Sequence, residues 1–112
     1  MGYEIQISEN GDAMHRAGSI YSFAPAAEAP KKTPDQWRTM LITLQGNLVL
    51  VEQDGQPLTR FDPAAQDPPD RKQWYEPKRD YQRPPAGYIG LQTHDPGDIV
   101  YFKEVSIRPL GE

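Results

Sequence analysis

Two short strand-like runs carry the side chains best suited to chemistry. Gln92 and His94 stand two residues apart, so on a β-strand both project from one face. The turn that follows, Thr93-His94-Asp95-Pro96-Gly97-Asp98, puts a titratable imidazole beside two carboxylates. A polar pair on a strand face next to a tight turn is a common way for a β-sandwich to present a sugar site. Near the other end, Glu4-x-Gln6-x-Ser8 repeats the spacing with a single carboxylate. Glycoside hydrolysis by double displacement needs two carboxylates flanking the bond. Glu4 lacks that partner on its own strand, so this mechanism is disfavoured. Asp95 and Asp98 with a neighbouring carbonyl offer oxygen ligands for a divalent cation such as Ca²⁺, although Asp-Pro-Gly-Asp is also good turn sequence. His15 reads as a solvated or structural loop residue.

The elements that must hold these groups are strands. Tyr3, Ile5 and Ile7 alternate with Glu4, Gln6 and Ser8, which predicts a half-buried strand closed by Asn10-Gly11-Asp12. A second strand is expected over Gly18–Phe23, and Ala24–Pro34 reads as an extended loop. A third runs over Gln36–Gln45, anchored by Trp37 and continued inward by Met40, Ile42 and Leu44. Gly46-Asn47 and Asp54-Gly55 then supply two-residue turns around Leu48–Val51 and before Leu58–Phe61, which gives an antiparallel meander. Residues 62–86, with Pro63, Pro68, Pro69, Pro77, Pro84 and Pro85 and the aromatics Trp74, Tyr75 and Tyr81, form a long loop. Final strands are expected at Tyr88–Gln92 and Asp98–Ile107. The class is all-β, an antiparallel sandwich rather than a closed barrel.

Composition bounds the remainder. The 112 residues hold one small domain, 1–112, with 37% apolar content and 12 prolines. A formal charge of −4 argues against a nucleic-acid surface. Without cysteine there is no disulfide framework and no thiolate chemistry. No run approaches the roughly 18 apolar residues of a membrane span, and no signal peptide is visible at Met1.

The order of motifs resembles one family. GYEIQI (Gly2–Ile7), GSIYSF (Gly18–Phe23), Gln36-Trp37 with its strand, the Gly46 hairpin, Asp54-Gly55, GYIGLQTH (Gly87–His94) and VYFKEVSIRPL (Val100–Leu110) resemble the 3-keto-disaccharide hydrolase family, also catalogued as a domain of unknown function. That family has a concanavalin A-like jelly roll. The chain departs from it at Trp37-Arg38, where Trp-Asn is usual, at Asp54-Gly55 for Asn-Gly, at Phe102-Lys103-Glu104 for Phe-Arg-Asn, and around Ser8-Glu9. The resemblance also implies strands before GYEIQI, so the chain is expected to be the C-terminal portion of the domain, with sheet edges and apolar faces left open to self-association.

The resemblance implies chemistry on a 3-keto-disaccharide or 3-keto-glycoside: abstraction of the C2 proton, elimination at C1, then hydration. It points to His94 and Glu4 as the catalytic pair, with Gln6, Gln92, Tyr21 and Trp37 contacting the sugar and a divalent cation as the candidate cofactor. The implied setting is a bacterial periplasm or exterior, with the cytoplasm also open. Two alternatives stay open: a non-catalytic, lectin-like carbohydrate-binding module, and a truncated domain that acts through homo-oligomeric assembly.

Overall fold

The structure is a computed structural model that describes residues 2–8, 11–29, 32–33, 35–77 and 86–111. Asn10, Tyr81, Pro84 and Pro85, singled out above, lie outside the described residues. Among the described residues there is no helix, and three strands form one antiparallel sheet in the order β1 (Met40–Gln45), β2 (Leu48–Gln53) and β3 (Gln56–Phe61). With no helix there, none is long and apolar enough to cross a membrane.

Turn chemistry sets the meander. Gly46 takes φ +59° while Asn47 does not enter the left-handed region, the sign pattern of a type II′ turn. Asp54 and Gly55 both have positive φ, 51° and 81°, as a type I′ turn requires. The first turn pairs Gln45 with Leu48, and the second pairs Gln53 with Gln56. Asp54 also fixes the approach to β1: its carboxylate accepts the Thr39 N–H at 2.9 Å and meets the Lys32 ammonium at 2.8 Å.

Opposed residues share a sheet face, so Ile42, Leu44, Val49, Val51, Thr59 and Phe61 lie on one side. Val49, Val51 and Phe61 are buried there beneath Ile20, Phe23 and Ala24, with Tyr3, Ile5 and Met40 packed at the margin. The Tyr3 ring stands edge-on to Phe23 and Phe61, at centroid distances of 5.4 and 5.9 Å. A bulge between Val51 and Glu52 makes Leu58 the additional residue on β3. That places Leu58 and Thr59, consecutive in sequence, both in buried positions against the Gly18 backbone. Thr59 Oγ1 donates to the Gly18 carbonyl at 2.8 Å.

The N-terminal cover is less regular than its sequence suggests. Tyr3–Ile7 and Gly18–Tyr21 are joined by Gln6 N–H to Ser19 C=O and Tyr21 N–H to Glu4 C=O, but only the Ile5–Ile20 bridge qualifies as pairing. The expected strand Gly18–Phe23 instead folds back on itself. Ser22 adopts φ 69°, and Ile20 and Ala24 exchange backbone hydrogen bonds. Ile7, expected inside, is exposed because the pairing has ended by that point. The next segment is tied down by Arg16, whose Nε and Nη2 both donate to the Ala26 carbonyl. Ala27 N–H continues the link to Leu58 C=O on β3 at 2.8 Å.

Two further expectations are corrected. The third strand begins at Met40 rather than Gln36, and Trp37 is 56% exposed, so it does not anchor the core. Ile42 and Leu44 face the correct side of the sheet but are exposed, because the cover reaches β2 and β3 and leaves the β1 end of that face open. Residues 86–111 form no strand at all. Tyr88, Ile89, Leu91, Ile99, Val100, Tyr101, Phe102, Val105 and Ile107 are exposed along them. A strand needs a neighbour to accept its ladder of hydrogen bonds, and none lies beside this run among the described residues.

Candidate functional site

The Glu4–Gln6 face is built by the Ile5–Ile20 pairing. With Ile5 and Ile20 turned to the core, Glu4, Gln6 and Tyr21 project from the opposite side, all half-buried. Gln6 Nε2 reaches the His15 carbonyl at 3.5 Å. His15 pairs with Asp12, Nδ1 and Oδ1 lying 2.8 Å apart, and its ring centroid is 6.3 Å from that of Tyr21. The Tyr21 phenol is held above its ordinary pKa, first by partial burial and then by the charges of Glu76, Tyr75 and Glu4. The charges of Glu76, Tyr75 and Glu4 therefore all act on the Tyr21 hydroxyl.

His94 sits on the second part of the site. Its turn is closed by Asp98 N–H to Asp95 C=O at 3.1 Å, with Pro96 at the second position and Gly97 at φ +96°, as a type II turn prefers. His94 Nδ1 lies 3.0 Å from Asp95 Oδ2. The Asp95 hydrogen bond and then the Asp95 charge hold the imidazole above its usual pKa against desolvation, with the Asp98 and Glu4 charges adding lesser contributions. The Glu4 charge is the weakest of those raising the His94 pKa. His94, Asp95 and Asp98 can each direct one ligand atom to a common point, all three atoms lying within 4.8 Å of one another.

The other candidates are looser. Gln92 is exposed on the unpaired C-terminal run. Trp37 lies apart from β1, with the Lys103 ammonium 5.9 Å from its ring centroid, so a cation already shares that ring face. An open concavity of about 380 Å³ on β2 and β3 is lined by Leu50, Glu52, Pro57 and Arg60 among others, and by none of the candidate residues.

The structure thus relates Glu4, Tyr21 and His94 through their fields and leaves Gln92 and Trp37 at its edges. The sequence reading did not place Glu76 near Tyr21. It belongs to a loop without periodicity, and nothing short of the folded backbone relates the two.

Against this geometry, the family model for the 3-keto-alpha-glucoside-1,2-lyase-like domain matches residues 1–108. The chain belongs to that family. Membership covers both halves of the site, from the Glu4 run to the His94 turn and the segment after it. Comparison with curated proteins gives no match, and comparison with solved structures gives none either.

Proposed function

We propose that this chain processes 3-keto-glycosides by elimination at C1 followed by hydration. The C3 carbonyl acidifies the C2 proton, and the C1 substituent is β to that carbonyl. Neutral His94, with Nδ1–H directed to Asp95, offers the Nε2 lone pair as the base. The C2–H electrons pass to the C3 oxygen as an enolate. The enolate then collapses to a C3 ketone with a C1–C2 double bond and expels the C1 oxygen. The imidazolium returns its proton to that leaving oxygen. Water then adds, hydroxyl at C1 and hydrogen at C2, so the net change is hydrolysis. Glu4 accepts a sugar hydroxyl, Gln6 and Gln92 orient others, and Tyr21 and Trp37 offer ring faces.

The Asp95 and Asp98 carboxylates would hold a divalent cation such as Ca²⁺, leaving the Nε2 lone pair of His94 for the base. Bound there, such an ion would act as a Lewis acid toward the keto oxygen.

We also read the sheet as part of a sandwich. One of its faces carries a core that stops short of β1, as expected where another layer continues it.

The observation that carries the functional reading is the His94–Asp95 pair in a chain of this family. The test is aglycone release from a 3-keto-glucoside, with and without EDTA, by wild type and by His94→Ala. Turnover should fall by about 10²–10⁴-fold in the variant. Because the raised pKa requires a higher pH to free the base, activity should rise with pH on a limb above the usual histidine value. Asp95→Asn should move that limb toward acid. Unchanged turnover in His94→Ala sinks the base assignment. Absence of turnover in wild type, together with binding of unmodified glycan, favours a binding module.

A further inference from the structure

The two edges of the sheet are finished differently. On β3, Pro57 has no N–H to offer, the Leu58 carbonyl already accepts Ala27 N–H at 2.8 Å, and the bulge bends the strand. β1 has none of these devices. Met40–Gln45 holds no charge and no proline, and its register against β2 is unbroken. Among the described residues β2 is its only partner strand. A bare, uncharged edge of this kind is a template for another strand.

One hydrogen bond fixes the phase of that edge. Asp54 N–H donates to the Thr39 carbonyl at 2.8 Å, so Thr39 turns its backbone groups toward the β2 side. The direction alternates along an antiparallel strand, and Leu41, Thr43 and Gln45 follow Thr39. Met40, Ile42 and Leu44 therefore direct N–H and C=O outward, to the free edge. Their side chains stand on the core face, where the cover stops short and Ile42 and Leu44 are 43% and 59% exposed. The C-terminal run meets the chain at Trp37, ahead of the strand, through Lys103.

A second copy of this chain fits both the phase and the face. Bonded and non-bonded pairs alternate, so a two-fold axis between identical antiparallel strands must set one residue opposite itself. With Ile42 on the axis, all three outward residues find partners. Ile42 faces its own copy and Met40 faces Leu44, each pair exchanging two backbone bonds. Opposed residues share a sheet face, so the same axis brings the two open ends of the core face together. No like charges meet, because the strand carries none.

We propose that β1 is a homodimer edge: two copies pair β1 with β1, antiparallel and centred on Ile42, into one continuous sheet. The proposal is independent of the elimination reading. So short an edge makes a small interface, and the dimer is a reversible one with a Kd of about 10–100 μM.

Sedimentation velocity of wild type over about 1–500 μM should pass from monomer to dimer. A monomer throughout overturns the proposal. Ile42→Lys and Ile42→Glu each set like charges against each other on the axis, and each should weaken self-association by about tenfold or more. Their equimolar mixture should restore the dimer, since opposite charges then meet. Dimers that persist in both variants overturn the register. So does a mixture that fails to recover when both variants keep the wild-type circular dichroism. Amide exchange needs no variant and decides the matter if one fails to fold. Raising the wild-type concentration should protect the N–H groups of Met40, Ile42 and Leu44 and leave those of Leu41, Thr43 and Gln45 unchanged. Any pattern without that alternation overturns the pairing.

Discussion

Two regions of this molecule use the same sequence pattern with opposite results. In residues 3–61, alternating apolar side chains meet across Ile5–Ile20 and β1–β3, and Ile20, Val49, Val51 and Phe61 are almost fully buried. In residues 86–111, runs as apolar as Ile99-Val100-Tyr101-Phe102 remain in solvent with no strand formed. The difference lies in the partner and not in the residues. Period-2 alternation specifies a surface that must be met by another strand or layer. Where two-residue turns deliver that neighbour within a few residues, the pattern becomes structure.

The widest test of this contrast uses two phenylalanines. Phe61→Ala removes a ring packed against Tyr3 and Phe23 and should lower stability by about 3–5 kcal/mol. Phe102→Ala, at a ring 46% exposed, should stay within about 0.5 kcal/mol. Urea denaturation followed by circular dichroism measures both, and similar losses at the two sites would end the comparison.

A smaller effect is expected where the cover meets the sheet. A Cβ at Gly18 would lie 2.8 Å from Leu58 Cδ1, on a backbone at φ +89°. Gly18→Ala should therefore destabilise by about 1–3 kcal/mol. A midpoint equal to that of wild type would mean the cover is not seated as described.

The smallest effect concerns the second hairpin. The Lys32 hydrogen bond, followed by the Thr39 N–H, holds the Asp54 carboxyl below its ordinary pKa. The folded value being the lower, this stabilisation is present above the unfolded pKa near 4. It fades as pH falls through the folded value. Asp54→Asn should thus be less stable by about 1 kcal/mol at neutral pH. The gap should narrow in acid, and a pH-independent gap would show that charge plays no part.

Legibility in the sequence follows the same division. The meander could be read because Gly46-Asn47 and Asp54-Gly55 are residues whose backbone freedom selects the turn. Tyr3 and Ile5 were readable as inward residues, while Ile7 was not, since alternation does not reveal where a partner ends. The reversal at Ser22 has no sequence mark, because serine rarely takes the left-handed region. In the candidate site, the His94–Asp95 pair lies within one turn and could be suspected from adjacency. The electrostatic influence of Glu76 and Tyr75 on Tyr21 joins residues more than fifty positions apart through a loop of no fixed period, and only the fold relates them.

The Thr59–Gly18 hydrogen bond, spanning 41 residues, also sets an order of events in folding. Both hairpins close over two-residue turns, on a timescale of about 1–10 μs for such units. Docking the N-terminal cover requires a far longer loop to close first, and so it comes later. In Gly18→Ala the clash is felt only on docking. The loss should therefore appear mainly as faster unfolding, with the refolding rate almost unchanged.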